Sequence, residues 1–128
     1  MPATSPEALH ELWIDGVNRG DFEAVAALYE PTAAFAVQPG QVVEGIAAVR
    51  EALAGLFALR PRRTLEQLTV IGTGDLALLV SRWSLTGTGA DGEAVSLGGQ
   101  TADVARRQGD GTWRFAIDNP WGDAVAVS

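Results

Sequence analysis

Two aspartates near the end of the sequence, Asp103 and Asp118, are the residues best placed for chemistry. They lie in a predicted β-hairpin whose strands run from Ala94 to Arg107 and from Thr112 to Asn119. Asp110-Gly111 between the strands is typical of a two-residue turn, which needs the positive φ angles that glycine adopts readily. Such a turn sets Asp103 opposite Asp118, with Cβ atoms ~5 Å apart. Two carboxyl groups this close share a proton, because one pKa rises, and the pair is suited to acid/base catalysis.

The same register predicts which residues share each face of the hairpin. Ala105 pairs with Ala116 on the face of the two aspartates, whereas Val104, Phe115 and Ile117 lie on the other face. Because that other face is the more apolar, one interpretation leaves both aspartates in solvent or paired with arginines of the same strands. The other interpretation turns them toward a cavity beneath the helices. Both stay open, since a one-residue slip or bulge would abolish the pairing.

Other polar and aromatic residues are candidates for contacts with a ligand. Arg82 lies in an otherwise apolar strand, so it either reaches solvent at an edge or meets Asp103 or Asp118. Gln100 and Asn119 are candidate polar companions of the aspartates. The candidate substrate-binding residues are Trp13, Phe35, Gln38, Arg82, Gln100, Asn119 and Trp121, with Trp83 as a further candidate cavity wall. For each aromatic residue, packing in the core is the alternative.

Three further features look like binding motifs, and each has a plainer interpretation. His10 lies at the flank of the apolar face of the first predicted helix, which is typical of a partly exposed surface residue. The arginines of Arg60 to Arg63 could bind an anion, or they form a solvated loop that complements the preceding helix C-terminus. Gly87 to Gly92 has dinucleotide-binding spacing, but a strand follows where the pyrophosphate needs a helix, which indicates a hairpin turn.

The composition excludes several classes of protein. The chain of 128 residues has nine arginines, no lysine and sixteen acidic residues, and its net charge of −7 argues against nucleic acid as a partner. It has no cysteine, and its single histidine cannot build a multi-histidine zinc site. No apolar run approaches ~18 residues and no secretory signal is recognisable, so we expect a cytoplasmic protein without membrane contact. We expect an enzyme of this composition to use acid/base chemistry without a metal or cofactor.

Helix signals fill the first half of the chain and strand signals the second. Ser5-Pro6-Glu7 begins a helix that Gly20 ends, and a second helix is predicted from Asp21 to about Tyr29, before Pro31. Gly45 to Leu59 predicts the third helix. Strands are predicted at 33–37, 42–43, 64–71, 76–86, 94–107 and 112–119. This order favours an α+β fold in which helices cover one face of a mostly antiparallel sheet.

Two segments of the sequence resemble nuclear transport factor 2-like proteins. The first is Trp13 to Tyr29, followed by a short strand ending at Pro39-Gly40 and by Glu44-Gly45-Ile46 at a helix start; the second is Thr101 to Pro120. They cover nearly the whole chain and are most similar to the SnoaL-like and ketosteroid-isomerase-related branch. The resemblance implies one domain over 1–128, a curved sheet wrapped around about three N-terminal helices as a cone with a pocket. It also implies a homodimer formed through the sheet.

The resemblance also implies roles for individual residues. Ketosteroid isomerase uses a carboxylate base, a tyrosine and a protonated carboxylic acid. The protonated acid falls on Asp103, which matches, and Asp118 lies on a strand position that faces the pocket in the family. The tyrosine falls on Trp13, and the base falls at Val37 or Gln38, neither of which can accept a proton as a base. Steroid isomerisation by that mechanism is therefore not expected. The Asp–Arg–Asp cluster of the family's epoxide hydrolases has no counterpart in the spacing along one strand.

Two hypotheses follow. In the first, the protein is a small cofactor-free enzyme, an isomerase, cyclase or dehydratase, that acts on an apolar or polyketide-like molecule. Asp103 or Asp118 shuttles a proton, while Trp13, Gln38 and Asn119 orient the substrate. In the second, the protein is a non-catalytic module that binds a small apolar ligand or forms a stable dimer.

Overall fold

The computed structural model describes residues 2–122, apart from the side chains of residues 65 and 66. Three helices and seven strands follow each other in the predicted order, so the α+β prediction is confirmed. The elements are α1 (Pro6–Arg19), α2 (Phe22–Ala26), β1 (Tyr29–Gln38), β2 (Gln41–Glu44), α3 (Ile46–Phe57), β3 (Arg62–Thr73), β4 (Leu76–Thr88), β5 (Ala94–Gln100), β6 (Asp103–Arg107) and β7 (Trp113–Asp118).

The first helix begins and ends where its capping residues predict. The Ser5 side chain accepts a hydrogen bond from the backbone N–H of Ala8 at 3.0 Å, and proline occupies the first turn. Gly20 ends the helix with φ 71°, a left-handed conformation that glycine adopts without steric cost. Helix α1 thereby presents a buried face that includes His10, Trp13 and Val17.

The second helix is shorter than predicted, and this changes the role of Tyr29. Helix α2 ends at Ala26, and Tyr29 is the first residue of β1. Pro31 does not end a helix but lies within β1, where the parallel pairing with β7 is irregular between Tyr29 and Ala34. Proline has no N–H for a sheet ladder and is tolerated at such irregularities. The prediction of a helix up to Tyr29 is therefore wrong.

The sheet is open and curved, with the order β2-β1-β7-β6-β4-β3 and with β5 added to β4. Only β1 and β7 run parallel; the other described neighbours are antiparallel. The single strand predicted from Ala94 to Arg107 is interrupted at Thr101–Ala102. Its two parts, β5 and β6, keep one register against β4, with Gln100 opposite Arg82 and Asp103 opposite Leu79.

The helices pack on one face of this sheet, which we call the inner face. The core between them includes Leu9, Val17, Val49, Leu53 and Leu79, each with no more than 1% of its surface exposed. Within residues 2–122, no helix is long and apolar enough to cross a membrane. The inner face and the helices also enclose a cavity, and this cavity holds the candidate site.

Candidate functional site

The turn of the last hairpin has three residues rather than the predicted two. Gln108 N–H donates to Thr112 O at 2.7 Å and Gly111 N–H donates to Gln108 O at 2.9 Å. Gly111 has φ 84°, so a type I turn is followed by a left-handed glycine. Arg107 is consequently opposite Trp113, one residue away from the predicted register. Continued regularly, this register would turn Asp118 to the outer face of the sheet.

A β-bulge reverses that slip before the aspartates are reached. Ala105 is opposite Phe115, but the next pair is Val104 with Ile117, so Ala116 is the extra residue. The predicted Val104–Ile117 pair is therefore confirmed, and the predicted Ala105–Ala116 pair is wrong. The two irregularities cancel.

The bulge also redistributes the apolar residues of the hairpin. Phe115, predicted on the face away from the aspartates, is on the inner face with 3% exposure. Ile117 is 44% exposed on the outer face. The prediction that the face opposite the aspartates carries both residues is wrong for Phe115. Asp103 and Asp118 lie on the inner face with 4% and 7% exposure.

The two aspartates form a carboxyl dyad within a chain of hydrogen bonds. Their side chains hydrogen bond to each other. Asp103 Oδ1 also accepts from the backbone N–H of Asn119 at 2.7 Å, and Asp118 Oδ2 accepts from the hydroxyl of Tyr29 at 2.5 Å. The indole N–H of Trp13 donates to the Tyr29 hydroxyl at 2.8 Å. Each of these hydrogen-bonding groups therefore has its partner within the protein.

The surroundings place the shared proton of the dyad on Asp103. Burial and the neighbouring charge of Asp118 raise the pKa of Asp103 well above its usual range. Burial also raises the pKa of Asp118, but the hydrogen bonds from Tyr29 and Asp103 and the charge of Arg63 oppose this. Burial and Asp118 raise the pKa of Tyr29 far above its usual range, so Tyr29 remains a donor. Together with the hydroxyl of Tyr29 that donates to Asp118, these directions favour the proton on Asp103 and the negative charge on Asp118.

An arginine does approach the dyad, but it is Arg63 rather than Arg82. Arg63 is opposite Leu85 on the inner face, and its guanidinium lies 4.9 Å from the ring centroid of Trp13 and 5.3 Å from that of Trp83. Its positive charge acts on both aspartates. The prediction that Arg63 belongs to a solvated loop is wrong, because β3 begins at Arg62 and alternation turns the next side chain inward.

His10 is buried, contrary to the predicted surface position, with 3% exposure. Burial first, and the charge of Arg63 second, lower the pKa of His10 to about 4. The imidazole is therefore neutral at pH 7. The amphipathic pattern misplaced His10 because β3 supplies a second wall over the flank of α1.

These residues surround one cavity of about 300 Å³. Its polar lining residues are His10, Arg63, Thr101, Asp103 and Asp118. The apolar and aromatic lining residues are Trp13, Phe35, Val37, Ala52, Gly55, Leu56, Leu59, Trp83, Leu85, Leu97, Phe115, Pro120 and Trp121. A mainly apolar cavity with a few convergent polar groups is the usual form of a small-molecule site.

Four of the predicted substrate-binding residues lie outside this lining: Gln38, Arg82, Gln100 and Asn119. Arg82 and Gln100 are exposed and face each other across β4 and β5 on the outer face, because the inward positions of β4 are Ser81 and Trp83. Gln38 is exposed and hydrogen bonds to Gln41. Contrary to the prediction, the side chains of Gln38, Arg82 and Gln100 do not line the cavity.

Asn119 is next to the site but does not line it. Its side chain donates to Gly122 O at 3.1 Å and accepts from Trp121 N–H at 3.3 Å. Its backbone N–H is the group that contacts Asp103. Asn119 therefore positions the acid and the segment after β7, rather than orienting a substrate as predicted. Trp13, Phe35 and Trp121 do line the cavity.

Sequence comparison agrees with this architecture. The family model described as SnoaL-like domain matches residues 10–116. The chain belongs to the SnoaL-like domain family. No curated protein matches this SnoaL-like domain.

Several solved structures are also similar to this chain. A protein of unknown function from Mycobacterium tuberculosis is 30% identical, with a TM-score of 0.75 over 94% of this chain and 75% of that chain. A proposed scytalone dehydratase from Novosphingobium aromaticivorans has a TM-score of 0.79 at 15% identity, over 94% and 92% of the two chains. A proposed NTF2-like dehydratase from Streptomyces avermitilis has a TM-score of 0.75 at 22% identity, over 88% and 89%. The last two likenesses show the fold alone.

Tyr29 is the residue of this SnoaL-like site that sequence reasoning missed. It is the only tyrosine of the chain, and the sequence pattern predicts it at the end of the second helix. One signal was available: Pro31 forces the residue before it, Glu30, toward an extended conformation, and an extended segment from Tyr29 follows easily. What the sequence could not give was the partner, Asp118, which lies 89 positions later.

Among the described side chains, no group of three or more His, Asp or Glu residues is arranged to hold a metal ion. The dyad itself offers two carboxyl groups, one of them protonated, which is a poor donor set for a hard cation. Its geometry suits proton transfer.

Proposed function

We propose that this SnoaL-like domain is a cofactor-free enzyme that moves a proton on an apolar small molecule. Asp118 is the general base and Asp103 the general acid. The observation that carries the proposal is a buried carboxyl dyad at a mainly apolar cavity. A carboxylate and a carboxylic acid that differ only in environment are a recurrent solution for acid/base catalysis near neutral pH.

The hydrogen bonds around the dyad support separate roles for its two members. Tyr29 donates to Asp118 and cannot easily lose its own proton, so it stabilises the negative charge there. Asp103 is held by the Asn119 N–H, beside Asp118. A proton taken up by Asp118 can therefore be passed to Asp103, and returned to the ligand or to water.

Elimination of water is the reaction that uses both members at once. Asp118 takes a proton from carbon, a C=C bond forms, and the departing hydroxyl takes the proton of Asp103 and leaves as water. Proton transfer from Asp118 to Asp103 then restores the starting state. Two of the similar structures are proposed dehydratases, which supports this reaction class. Isomerisation or cyclisation needs the same two transfers at other atoms.

Titration of the carboxyl carbons by NMR tests the dyad without a substrate. We expect one apparent pKa well above the ordinary ~3.9 for the pair, and a single remaining transition in Asp103→Asn. Glu30, a buried carboxylate that lies 3.6 Å from Arg106 and outside the cavity lining, offers a matched control for variants of the dyad. Two ordinary values for Asp103 and Asp118 would contradict the proposal.

A turnover assay that needs no known substrate follows from the proton step. We expect the protein to speed exchange of the α-protons of 2-tetralone with D₂O, observed by ¹H NMR. Asp118→Asn is expected to lower this rate at least ~100-fold, because the base is lost. Glu30→Gln is the matched control and is expected to retain the rate. Equal rates in Asp118→Asn and the unmodified protein would exclude Asp118 as the base.

A non-catalytic, ligand-binding module is the second candidate. The position of the ketosteroid isomerase base falls at Val37 or Gln38. Val37 lines the cavity, Gln38 lies outside its lining, and neither can act as a base. A raised pKa in the dyad together with ligand binding but no proton exchange, across uncharged probes that fit the cavity, would favour this function.

We also propose that the protein is a homodimer formed through the outer face of the sheet. Ile71, Leu78, Val104 and Ile117 are paired in succession across four strands and form one apolar row. Three of them are exposed, at 61%, 37% and 44% for Ile71, Leu78 and Ile117. An exposed apolar row of this kind is typical of an interaction surface, and a second copy offers a matching one.

Light scattering after gel filtration tests the dimer. Ile117→Glu is expected to convert a dimer to a monomer, because it places a charge within the apolar row. Ala47→Glu adds the same charge on the exposed side of α3 and is expected to leave the dimer intact. A monomer in the unmodified protein at micromolar concentration would contradict the proposal.

A further inference from the structure

Two buried side-chain nitrogens lack a hydrogen-bond partner among the described residues, His10 Nε2 and Arg63 Nε. Both side chains line the cavity. A buried polar atom that is left unpaired destabilises the protein, so such atoms are rare and usually have a partner in the functional state. Arg63 Nε–H is a donor, and a neutral His10 donates from Nε2 when its proton lies on that nitrogen. A ligand that brings one acceptor oxygen into the cavity would therefore satisfy both nitrogens.

The other hydrogen-bond donors of the cavity are already used. The indole N–H groups of Trp13, Trp83 and Trp121 donate to oxygens of the protein at 2.8, 2.7 and 3.0 Å. The Thr101 hydroxyl has acceptors within the protein, the backbone oxygen of Leu79 at 3.4 Å and Ser81 Oγ at 3.0 Å. A ligand oxygen in this cavity therefore finds its free donors at Arg63 and His10.

Arg63 is held in place before any ligand arrives. The side chain of Asn18 binds both backbone polar groups of Arg63. It accepts from Arg63 N–H at 2.7 Å and donates to Arg63 O at 2.9 Å. The guanidinium lies against the rings of Trp13 and Trp83. A preorganised donor of this kind loses little entropy when it binds an acceptor.

The charges of the cavity select an uncharged acceptor. Asp118 and Arg63 carry opposite charges, while Asp103 holds its proton and His10 is neutral. These four groups have no net charge. A carboxylate would bring an unbalanced charge into a mainly apolar space, which is unfavourable, whereas a carbonyl oxygen accepts hydrogen bonds without adding a charge.

We propose that Arg63 and His10 form a subsite that binds the carbonyl oxygen of an uncharged, mainly apolar ligand. For turnover, the assignment rests on the proposed function. A hydrogen-bonded carbonyl group acidifies the C–H bonds next to it, and one of these is the proton that Asp118 removes. Negative charge that develops on the oxygen in that step faces the guanidinium. For binding, the assignment depends only on the two unpaired nitrogens.

Three bicyclic probes of similar size test the subsite: 2-tetralone, the hydrocarbon tetralin, and 1,2,3,4-tetrahydro-2-naphthoate. Binding is measured at pH 7 from the NMR shifts of the tryptophan indole N–H signals. We expect 2-tetralone to bind at least about tenfold tighter than tetralin. A hydrogen bond to a charged donor contributes more free energy than a tenfold change in Kd requires. Without a polar subsite the more apolar tetralin would bind at least as tightly. That result, or tightest binding of the carboxylate, would overturn the proposal.

Variants locate the effect. Arg63→Lys keeps the positive charge but loses the Nε–H and the planar fork, and His10→Phe removes the second donor. Both are expected to lose most of the preference for 2-tetralone while still binding tetralin, which shows that the cavity is intact. Arg62→Gln, at the exposed neighbouring position, is the matched control and is expected to keep the preference. An unchanged preference in both Arg63→Lys and His10→Phe would also overturn the proposal.

The outcome is separable from that of the proposed function. If the ketone preference depends on Arg63 but both aspartates titrate normally, the subsite proposal is supported and the catalytic proposal is contradicted. If the dyad shares a proton but the ketone preference is absent, the acid/base pair is supported and the subsite proposal is contradicted.

Discussion

Each face of the sheet carries a group of residues that is unusual for its surroundings. The inner face carries three ionisable residues under the helices, Asp103, Asp118 and Arg63, whereas the outer face exposes a row of apolar residues across four strands. A buried charge and an exposed apolar patch are the two observations that ordinary folding does not require. These observations are the basis of the proposed site on the inner face and of the proposed interface on the outer face.

The faces also differ in how their unusual residues are supported. The dyad is satisfied within the protein, by Tyr29, by the backbone of Asn119 and by its own internal hydrogen bond. The apolar row has no such support in one chain, and it needs a partner surface to leave water. The inner face is therefore expected to resist substitution, and the outer face to tolerate it at low protein concentration.

Adjacent leucines of β4 give the largest expected difference between the faces. Leu79 is fully buried on the inner face and Leu78 is 37% exposed on the outer face. Leu79→Ala is expected to lower the free energy of unfolding by about 2–5 kcal/mol, because it leaves a cavity in the core. Leu78→Ala is expected to change it by about 0.5 kcal/mol or less for the monomer. Urea denaturation at low concentration measures both, and equal losses would contradict the assignment of faces.

The hydroxyl of Tyr29 is expected to have the next largest effect. Tyr29→Phe leaves the Trp13 N–H without its acceptor and Asp118 without its donor, at a cost of about 1–3 kcal/mol. The pKa of Asp118 is expected to rise in this variant, because a hydrogen bond that favours its charged form is lost. Trp121→Phe, which removes a hydrogen bond at a half-exposed site, is the control and should cost less. Denaturation and carboxyl NMR together check the two results.

The dyad makes stability depend on pH in a definite direction. Because the pKa of Asp103 is raised in the folded state, the unfolded chain releases the proton first, from about pH 4 upward. Stability is therefore lost as pH rises toward the folded pKa. Asp103→Asn removes this loss, so the variant is expected to gain stability relative to the unmodified protein between pH 4 and pH 8, as seen in Tm.

Two groups bear on the interpretation of that titration. His10 has a lowered pKa of about 4, so it destabilises the fold as pH falls below 6.5, but it does so in both proteins and cancels in the difference. Asp110 has a lowered pKa because Thr112 donates to it. Asp110→Asn is therefore expected to lose stability relative to the unmodified protein as pH rises, opposite to Asp103→Asn. A difference between Asp103→Asn and the unmodified protein that does not vary with pH would contradict a shared proton.

The smallest effect is expected at Arg82. It is exposed on the outer face, and Arg82→Gln is expected to change the free energy of unfolding by about 0.5 kcal/mol or less and to leave ligand binding unchanged. A large loss of binding in Arg82→Gln would move the site away from the inner face.

The sequence was sufficient for the order of the elements and for the two acids of the dyad, but not for the end of α2 or for the break between β5 and β6. Capping residues and glycines located α1, and the order of helices and strands led to the α+β fold. It was insufficient at Tyr29, Arg63 and His10, whose roles depend on neighbours far along the chain. An alternating pattern shows that a strand has two faces, but it does not show which of them the helices cover.

The meeting of Asp103 with Asp118 shows where that limit lies. The sequence by itself determined a hairpin with an aspartate on each strand, because Asp110-Gly111 favours a turn and the flanking residues favour strands. The three-residue loop and the bulge at Ala116 each shift the pairing by one residue, and only their combination turns both acids inward. The tertiary structure decided this, because burying Phe115 and Ala116 against the core stabilises the bulge, and no local rule contains that packing.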